Sequence, residues 1–244
     1  MFFFRRKTVK GSPQRPVEVF VRHCHYSAAS QHKQRPAGFS KEACYRNLLA
    51  TLDERIRLTH FLDTARDGDH FLKGQAIEIN EGTEAGSFLR MLEYVASLAL
   101  HPDQIVYFLE DDYLHRPGWI DVLLEGFSTA ADYVTLYDHL DKYTLYPKLS
   151  SKIFATASCH WRTTPSTTNT YAMRFSTLKE DFSIHRRFSL GRKITADHDK
   201  FCFLKKRGAM LISSIPGWAT HADVEYASPC INWAPFYKEN LCKR

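Results

Sequence analysis

The sequence predicts an α/β domain with a mostly parallel central sheet flanked by helices, and two observations carry that expectation. Apolar runs rich in β-branched and aromatic residues alternate along the chain with stretches of helical spacing. Several of those runs stop at a cluster of polar residues, as strands do at the ligand-bearing edge of an open sheet. At 244 residues, 44% apolar and 25% charged, the chain has the composition of one globular domain able to bury about 70% of its unfolded surface.

Residues 1–16 contain Gly11, Pro13 and Pro16 and read as a flexible lead-in to a domain over 17–244. Val17-Glu18-Val19-Phe20-Val21 alternates as a strand and runs into the polar Arg22-His23-Cys24-His25. Ser40 is placed to cap a helix with apolar Ala43, Leu48, Leu49 and Leu52, the crossover of a βαβ unit. Strands are expected at 57–62, ending on Asp63, and at 76–79. Gly82-Thr83-Glu84-Ala85-Gly86-Ser87 opens a helix in which Phe88, Met91, Leu92, Val95 and Leu98 recur at helical spacing. A fourth strand over 104–109 leads into Glu110-Asp111-Asp112, and 119–127 is an amphipathic helix. The segment 133–146, dense in aromatics and aspartates, matches neither period. From 152 to 174 the many β-branched residues favour strands or long loops over helix. A last helix after Thr195 ends near Gly208, and the strand 209–215 runs into Pro216-Gly217-Trp218-Ala219-Thr220-His221.

Composition excludes several functions. The net charge of +6, from 33 basic and 27 acidic residues, suits an anionic small molecule. No dense Lys/Arg stripe, zinc-finger spacing or aromatic RNA-binding signature is present, so nucleic acid is not an expected partner. No run approaches the roughly 18 apolar residues of a transmembrane segment. The start, Met1-Phe2-Phe3-Phe4-Arg5-Arg6-Lys7, has too short an apolar run and the wrong charge order for a secretory signal. A cytosolic location follows as the expectation, with this start as the candidate for peripheral contact with a membrane surface. Six cysteines without a C-x-x-C pair argue for reduced thiols and against structural zinc. Serine hydrolases, P-loop NTPases and nicotinamide enzymes all lack their motifs here.

The chemistry centres on Glu110-Asp111-Asp112, three consecutive carboxylates behind a buried apolar run. Their mutual repulsion calls for a cation or a set of donors. A hard divalent ion, Mn²⁺ or Mg²⁺, is the simplest such partner, and it could hold a diphosphate leaving group as a Lewis acid. A solvated acidic turn is the bland alternative. His221, just past a strand in a Pro-Gly turn, is a second candidate ligand, against the ordinary role of a hydrogen-bonded core histidine. In Asp197-His198-Asp199, capping accounts for Asp197, and a free carboxylate at Asp199 could take a proton from an acceptor hydroxyl.

The order of these motifs resembles a nucleotide-sugar-dependent glycosyltransferase of the GT-A fold, a Rossmann-like single domain. The resemblance spans roughly 17–233. It rests on Phe108-Leu109-Glu110-Asp111-Asp112 with Pro117-Gly118-Trp119, on Asp197-His198-Asp199-Lys200-Phe201, and on Ser214-Ile215-Pro216-Gly217-Trp218-Ala219-Thr220-His221. The Glu-Asp-Asp triplet looks like a D-x-D-type motif whose first member is Glu.

Such a resemblance implies a donor-binding half over 17–115 and an acceptor-binding half over 116–244. Asp112 would bind the metal directly and His221 would complete its site. Glu110 and Asp111 would orient the donor ribose and the metal's water shell. Arg22, His23, Asp63, Gly82, Gly86 and Ser87 would line the nucleotide pocket. Asp199 would be the base of an inverting displacement, with Asp197 as the competing choice. The implied partners are a nucleotide-sugar donor, UDP-linked by preference, and a glycan or glycoconjugate acceptor contacted by Trp161 and Thr168 in the segment 161–170. Two other functions fit the same residues: metal-dependent nucleotidyl transfer, and non-catalytic binding of sugar nucleotides or glycans.

Overall fold

The structure, a computed structural model, describes residues 17–238 apart from 26, 28–29, 66–67 and 147. The lead-in 1–16, with its candidate membrane-contacting start, and Cys242 lie outside the described residues. Nine strands form the main sheet: β1 (Val17–Cys24), β2 (Ile56–Asp63), β3 (Ile77–Ile79), β4 (Ile105–Glu110), β6 (Tyr133–Thr135), β7 (Ile153–Ala155), β8 (His160–Thr163), β9 (Tyr171–Arg174) and β10 (Leu211–Ile215). Their order is β3-β2-β1-β4-β9-β6-β10-β8-β7. A separate two-stranded ribbon pairs β5 (Tyr113–His115) with β11 (Ala219–His221).

The expected parallel arrangement holds over β3, β2, β1 and β4. Beyond β4 the sheet becomes mixed: β9 runs antiparallel to both β4 and β6, β10 is parallel to β6, and β8 and β7 close the edge antiparallel. Strands from both halves of the chain thus belong to one continuous sheet.

Strand alternation sorts the core into two layers. On β4, Tyr107 and Leu109 face a layer built with Val17, Val19, Val21 and helix α3 (Trp119–Phe127). Val106 and Phe108 face the other layer, with helix α2 (Glu84–Ser97), α5 (Phe175–Ser189) and α6 (Asp197–Lys206). The predicted cap forms, Ser40 Oγ accepting from Ala43 N at 2.9 Å to start α1 (Lys41–Ala50), and Thr83 Oγ1, not foreseen as a cap, accepts from Gly86 N at 3.1 Å to start α2. Gly118, at φ +85, opens α3 in a conformation that disfavours side chains, and its α-carbon faces the Trp218 ring.

Three regions escape the sequence patterns. Helix α5 was not anticipated, and the unassigned stretch 133–146 divides into β6 and the short α4 (Asp141–Thr144). The β5·β11 ribbon also replaces the expected loop around His221, which is the last residue of β11. Among the described residues Cys24, Cys44, Cys159, Cys202 and Cys230 are free thiols, as expected, and no described helix is long and apolar enough to cross a membrane.

Candidate active site

Because β1, β2 and β4 are parallel, Cys24, Asp63 and Glu110 emerge at one edge of the sheet. Asp111 and Asp112 form the whole connection between β4 and β5, so the chain turns there and the three carboxylates leave in different directions. Glu110 Oε1 pairs with Arg22 Nη2 at 2.9 Å, as their opposed positions on β1 and β4 require. Asp111 Oδ2 accepts from Cys24 N at 3.0 Å and from Lys41 Nζ at 2.8 Å. Asp112 turns the other way, toward β11.

The ribbon explains how residues so far apart in sequence meet. Antiparallel pairing sets His221 opposite Tyr113, and Ala222 N donates to Asp112 O at 2.8 Å, extending the ladder to the metal-ligand candidates. Asp112 Oδ2 and His221 Nε2 lie 2.9 Å apart. Two adjacent ligands on an octahedral ion with bonds of ~2.1 Å stand about 3.0 Å apart, so the spacing of the pair suits one divalent cation. Asp223, itself buried, presents Oδ2 at 3.8 Å from His221 Nδ1. Asp112, nearer at 2.9 Å, engages the Nε2 side by hydrogen bonding, and a cation would replace that bond.

Two cations of the chain also reach this pair. Arg35 Nη2 lies 2.9 Å from Asp112 Oδ2, and Lys33 Nζ lies 3.1 Å from His221 Nε2. Burial opposes ionisation of Asp112, yet His221, Lys33 and Arg35 together hold its carboxyl well below the usual range.

A line of contacts leads from the triplet to α6. Arg22 Nη2 also bonds Glu84 Oε1 at 2.9 Å, and Asn169 Nδ2 donates to the same oxygen at 2.8 Å. Lys200 Nζ donates to Asn169 Oδ1 at 2.8 Å and to Asp197 Oδ1 at 3.1 Å. Lys200 is fully buried, with its ammonium 4.8–5.0 Å from the ring centroids of Phe88, Tyr171 and Phe201. Burial pushes the Asp197 carboxyl up to about 6, against the pull of Lys200. Burial likewise raises Glu110, in spite of Arg22, and lowers Lys200.

Several expected site residues do other work. Asp199 faces solvent, because the first turn of α6 points it outward, while Asp197 turns inward to Lys200. Asp63 accepts from Ala65 N, Glu81 N, Gly82 N and Ser87 Oγ, and Gly86 N is taken by Thr83. Asp63, Gly82 and Ser87 thus form a clasp between β2 and α2 that leaves Asp63 few lone pairs for a nucleotide, and Gly86 serves the α2 cap. Trp161 is fully buried against Gly126 and Val134, with Nε1 donating to Thr156 Oγ1 at 2.9 Å, so it packs the core and cannot touch an acceptor. Thr168, half-buried, bonds the Tyr113 hydroxyl at 2.8 Å, and the Tyr113 ring lies 5.2 Å from that of His221.

His23 sits beneath the edge, its Nε2 3.2 Å from His60 Nδ1. One ligand atom from each of His23, His70 and Asp111 lies within 4.8 Å of the others, a second place where metal donors gather. As at Asp112 and His221, cations and donors of the chain already engage part of this set. Lys41 already neutralises Asp111, and Leu72 N donates to His70 Nδ1 at 3.2 Å, which leaves the proton of a neutral His70 on the buried, unpaired Nε2.

The sequence patterns missed Lys33, Arg35, Glu84, Asn169, Lys200 and Asp223. Lys200 carried the one legible signal, lying one helical turn after Asp197.

No protein-family model and no curated protein matches the chain. It is similar in fold to solved structures. One, titled CMP:2-keto-3-deoxy-manno-octonic acid synthetase complexed with CTP, is 15% identical, with 82% of this chain and 92% of that chain covered at a TM-score of 0.48. Another, the inositol-1-phosphate CTP transferase from T. maritima, is 13% identical over 91% and 94% of the two chains, with a TM-score of 0.48. A third, 2-C-methyl-D-erythritol 4-phosphate cytidylyltransferase from Thermus thermophilus, is 14% identical over 93% and 98%, with a TM-score of 0.44. At this distance the likeness carries no argument about the chemistry of this chain.

Proposed function

We propose that the chain is a divalent-metal-assisted transferase acting on a nucleotide-activated substrate, and that it moves a sugar from a nucleoside-diphosphate donor, UDP-linked by preference, to a hydroxyl of a glycan or glycoconjugate. The observation that supports this most is the 2.9 Å approach of Asp112 Oδ2 and His221 Nε2 at the sheet edge. Mn²⁺ or Mg²⁺ held there would supply Lewis-acid stabilisation of the departing diphosphate. Asp112 and His221 would hold the ion, and Asp223 would fix the histidine tautomer. Arg22 and Glu84 would brace Glu110 against the donor. Asp197, with its raised pKa and Lys200 beside it, would accept the proton of the attacking hydroxyl, giving inversion at the anomeric carbon. Positioning and charge stabilisation would provide most of the acceleration.

Nucleotidyl transfer is the second reading. The solved structures of similar fold are by title CTP-using enzymes, and the same metal pair could serve that reaction. Against it, the connection between β1 and α1 has Gly38 as its sole glycine, so no glycine-rich cradle for a triphosphate follows the first strand. Incubation with a panel of UDP-sugars, and separately with CTP or UTP plus sugar phosphates, with MnCl₂ or with chelator, separates the readings. Mn²⁺-dependent release of UDP supports sugar transfer; pyrophosphate release overturns it in favour of nucleotidyl transfer.

A further inference from the structure

We infer that Lys33 and Arg35 hold the metal-ligand pair closed in the metal-free chain, are displaced when a divalent cation binds, and then bind the phosphates of a nucleoside diphosphate. This rests on the metal-assisted reading above.

The contacts are mutually exclusive with metal ligation. Arg35 Nη2 occupies Asp112 Oδ2 at 2.9 Å, and Lys33 Nζ occupies His221 Nε2 at 3.1 Å. Those are the two atoms that a cation between Asp112 and His221 would take. An ion there would stand about 3–4 Å from a guanidinium and an ammonium, and like charges at that range repel strongly in a half-buried site. Binding the metal therefore expels both side chains from their present partners.

Where they go is limited by the backbone. Both belong to the connection between β1 and α1, and Gln34, which separates them, accepts from Val224 N at 2.9 Å just beyond β11. That bond pins the segment across the mouth of the site. Arg35 is further retained by Ala222 O at 2.6 Å and by stacking on the Phe39 ring, 4.3 Å to its centroid. Freed from Asp112 and His221, two long cationic side chains remain beside the metal. A diphosphate bound to that metal presents the charge and oxygens they lack, bidentate for Arg35 and as a point charge for Lys33.

The consequence is a pair of effects with opposite signs. Lys33 and Arg35 compete with the metal alone and cooperate with the diphosphate. Calorimetric titration of MnCl₂ alone, then of UDP at saturating MnCl₂, reads both on the wild type, Lys33→Gln, Arg35→Gln and Asp112→Asn. Each cation-removing variant is expected to bind Mn²⁺ roughly three- to tenfold tighter. Each should bind UDP roughly tenfold weaker, and Arg35→Lys should recover part of that loss. A misfolded variant would not gain Mn²⁺ affinity, so the gain is diagnostic. Unchanged or weakened Mn²⁺ binding in both variants, or undiminished UDP binding, overturns the inference while leaving the metal site standing if Asp112→Asn loses the ion. A wild type that takes up no Mn²⁺, or an Asp112→Asn variant that takes it up equally well, overturns the metal-assisted reading itself.

Discussion

Asp111 and Asp112 are neighbours with unlike surroundings. Asp111 turns toward the end of β1, where its partners are a backbone N–H of Cys24 and Lys41, the first residue of α1. Asp112 turns toward the ribbon, where its partners are the imidazole of His221 and a guanidinium on a connecting segment. The first carboxylate ties β4 to β1 and α1 through groups anchored in regular structure. Of the second's partners, His221 ends β11 while Arg35 lies on a connecting segment. Charge alone does not distinguish the two acids; the surroundings of their partners do.

The largest effect that sharpens this contrast comes from Asp112→Ala. It should lower metal-dependent turnover of a UDP-sugar by roughly a thousandfold or more, and also lower stability, because Arg35 and His221 lose a buried counter-charge. Asp111→Ala should leave Mn²⁺ binding intact while costing about 2 kcal/mol in urea unfolding, because the half-buried Lys41 loses its counter-charge. Equal losses of activity in the two variants would erase the comparison.

Next in size are the two aspartates of α6. Asp197→Asn should reduce kcat by roughly a hundredfold or more while UDP binding persists, and Asp199→Asn should change it by less than about twofold. With its carboxyl pushed up to about 6, Asp197 is protonated and inactive as a base below that pH. The rate should therefore rise about tenfold per unit as pH climbs toward 6 and level off above it. A flat profile from pH 5 to 8 would remove Asp197 from the role.

Smaller still is the acceptor side. Trp161→Leu should lower stability by about 2–3 kcal/mol without altering the KM for an acceptor, since the ring fills the core. Thr168→Val, which removes the bond to Tyr113, should cost only about 1 kcal/mol of stability.

Much of this was written in the sequence. Apolar runs located β1, β2, β4 and β10, the cap at Ser40 started the right helix, and Asp112 of the acidic triplet proved to contact His221. What stayed hidden depends on long-range pairing. The β5·β11 ribbon is built from two three-residue strands, too short to show a period, and only their pairing brings His221 to Asp112. Asp63 looked like a pocket residue because nothing local reveals that Ser87 and the Gly82 N–H close around it. Trp161 looked exposed because its threonine-rich surroundings are polar, whereas its ring enters the layer beneath α3. Lys33 and Arg35 lie in a segment without periodicity, so no pattern ties them to the site.

The most direct test is a Mn²⁺ anomalous difference map from crystals grown with MnCl₂ and UDP. A peak bridging Asp112 Oδ2 and His221 Nε2, with the diphosphate on its open side, is the predicted result. Bound UDP with no peak there, or with the ion among His23, His70 and Asp111 instead, would contradict it.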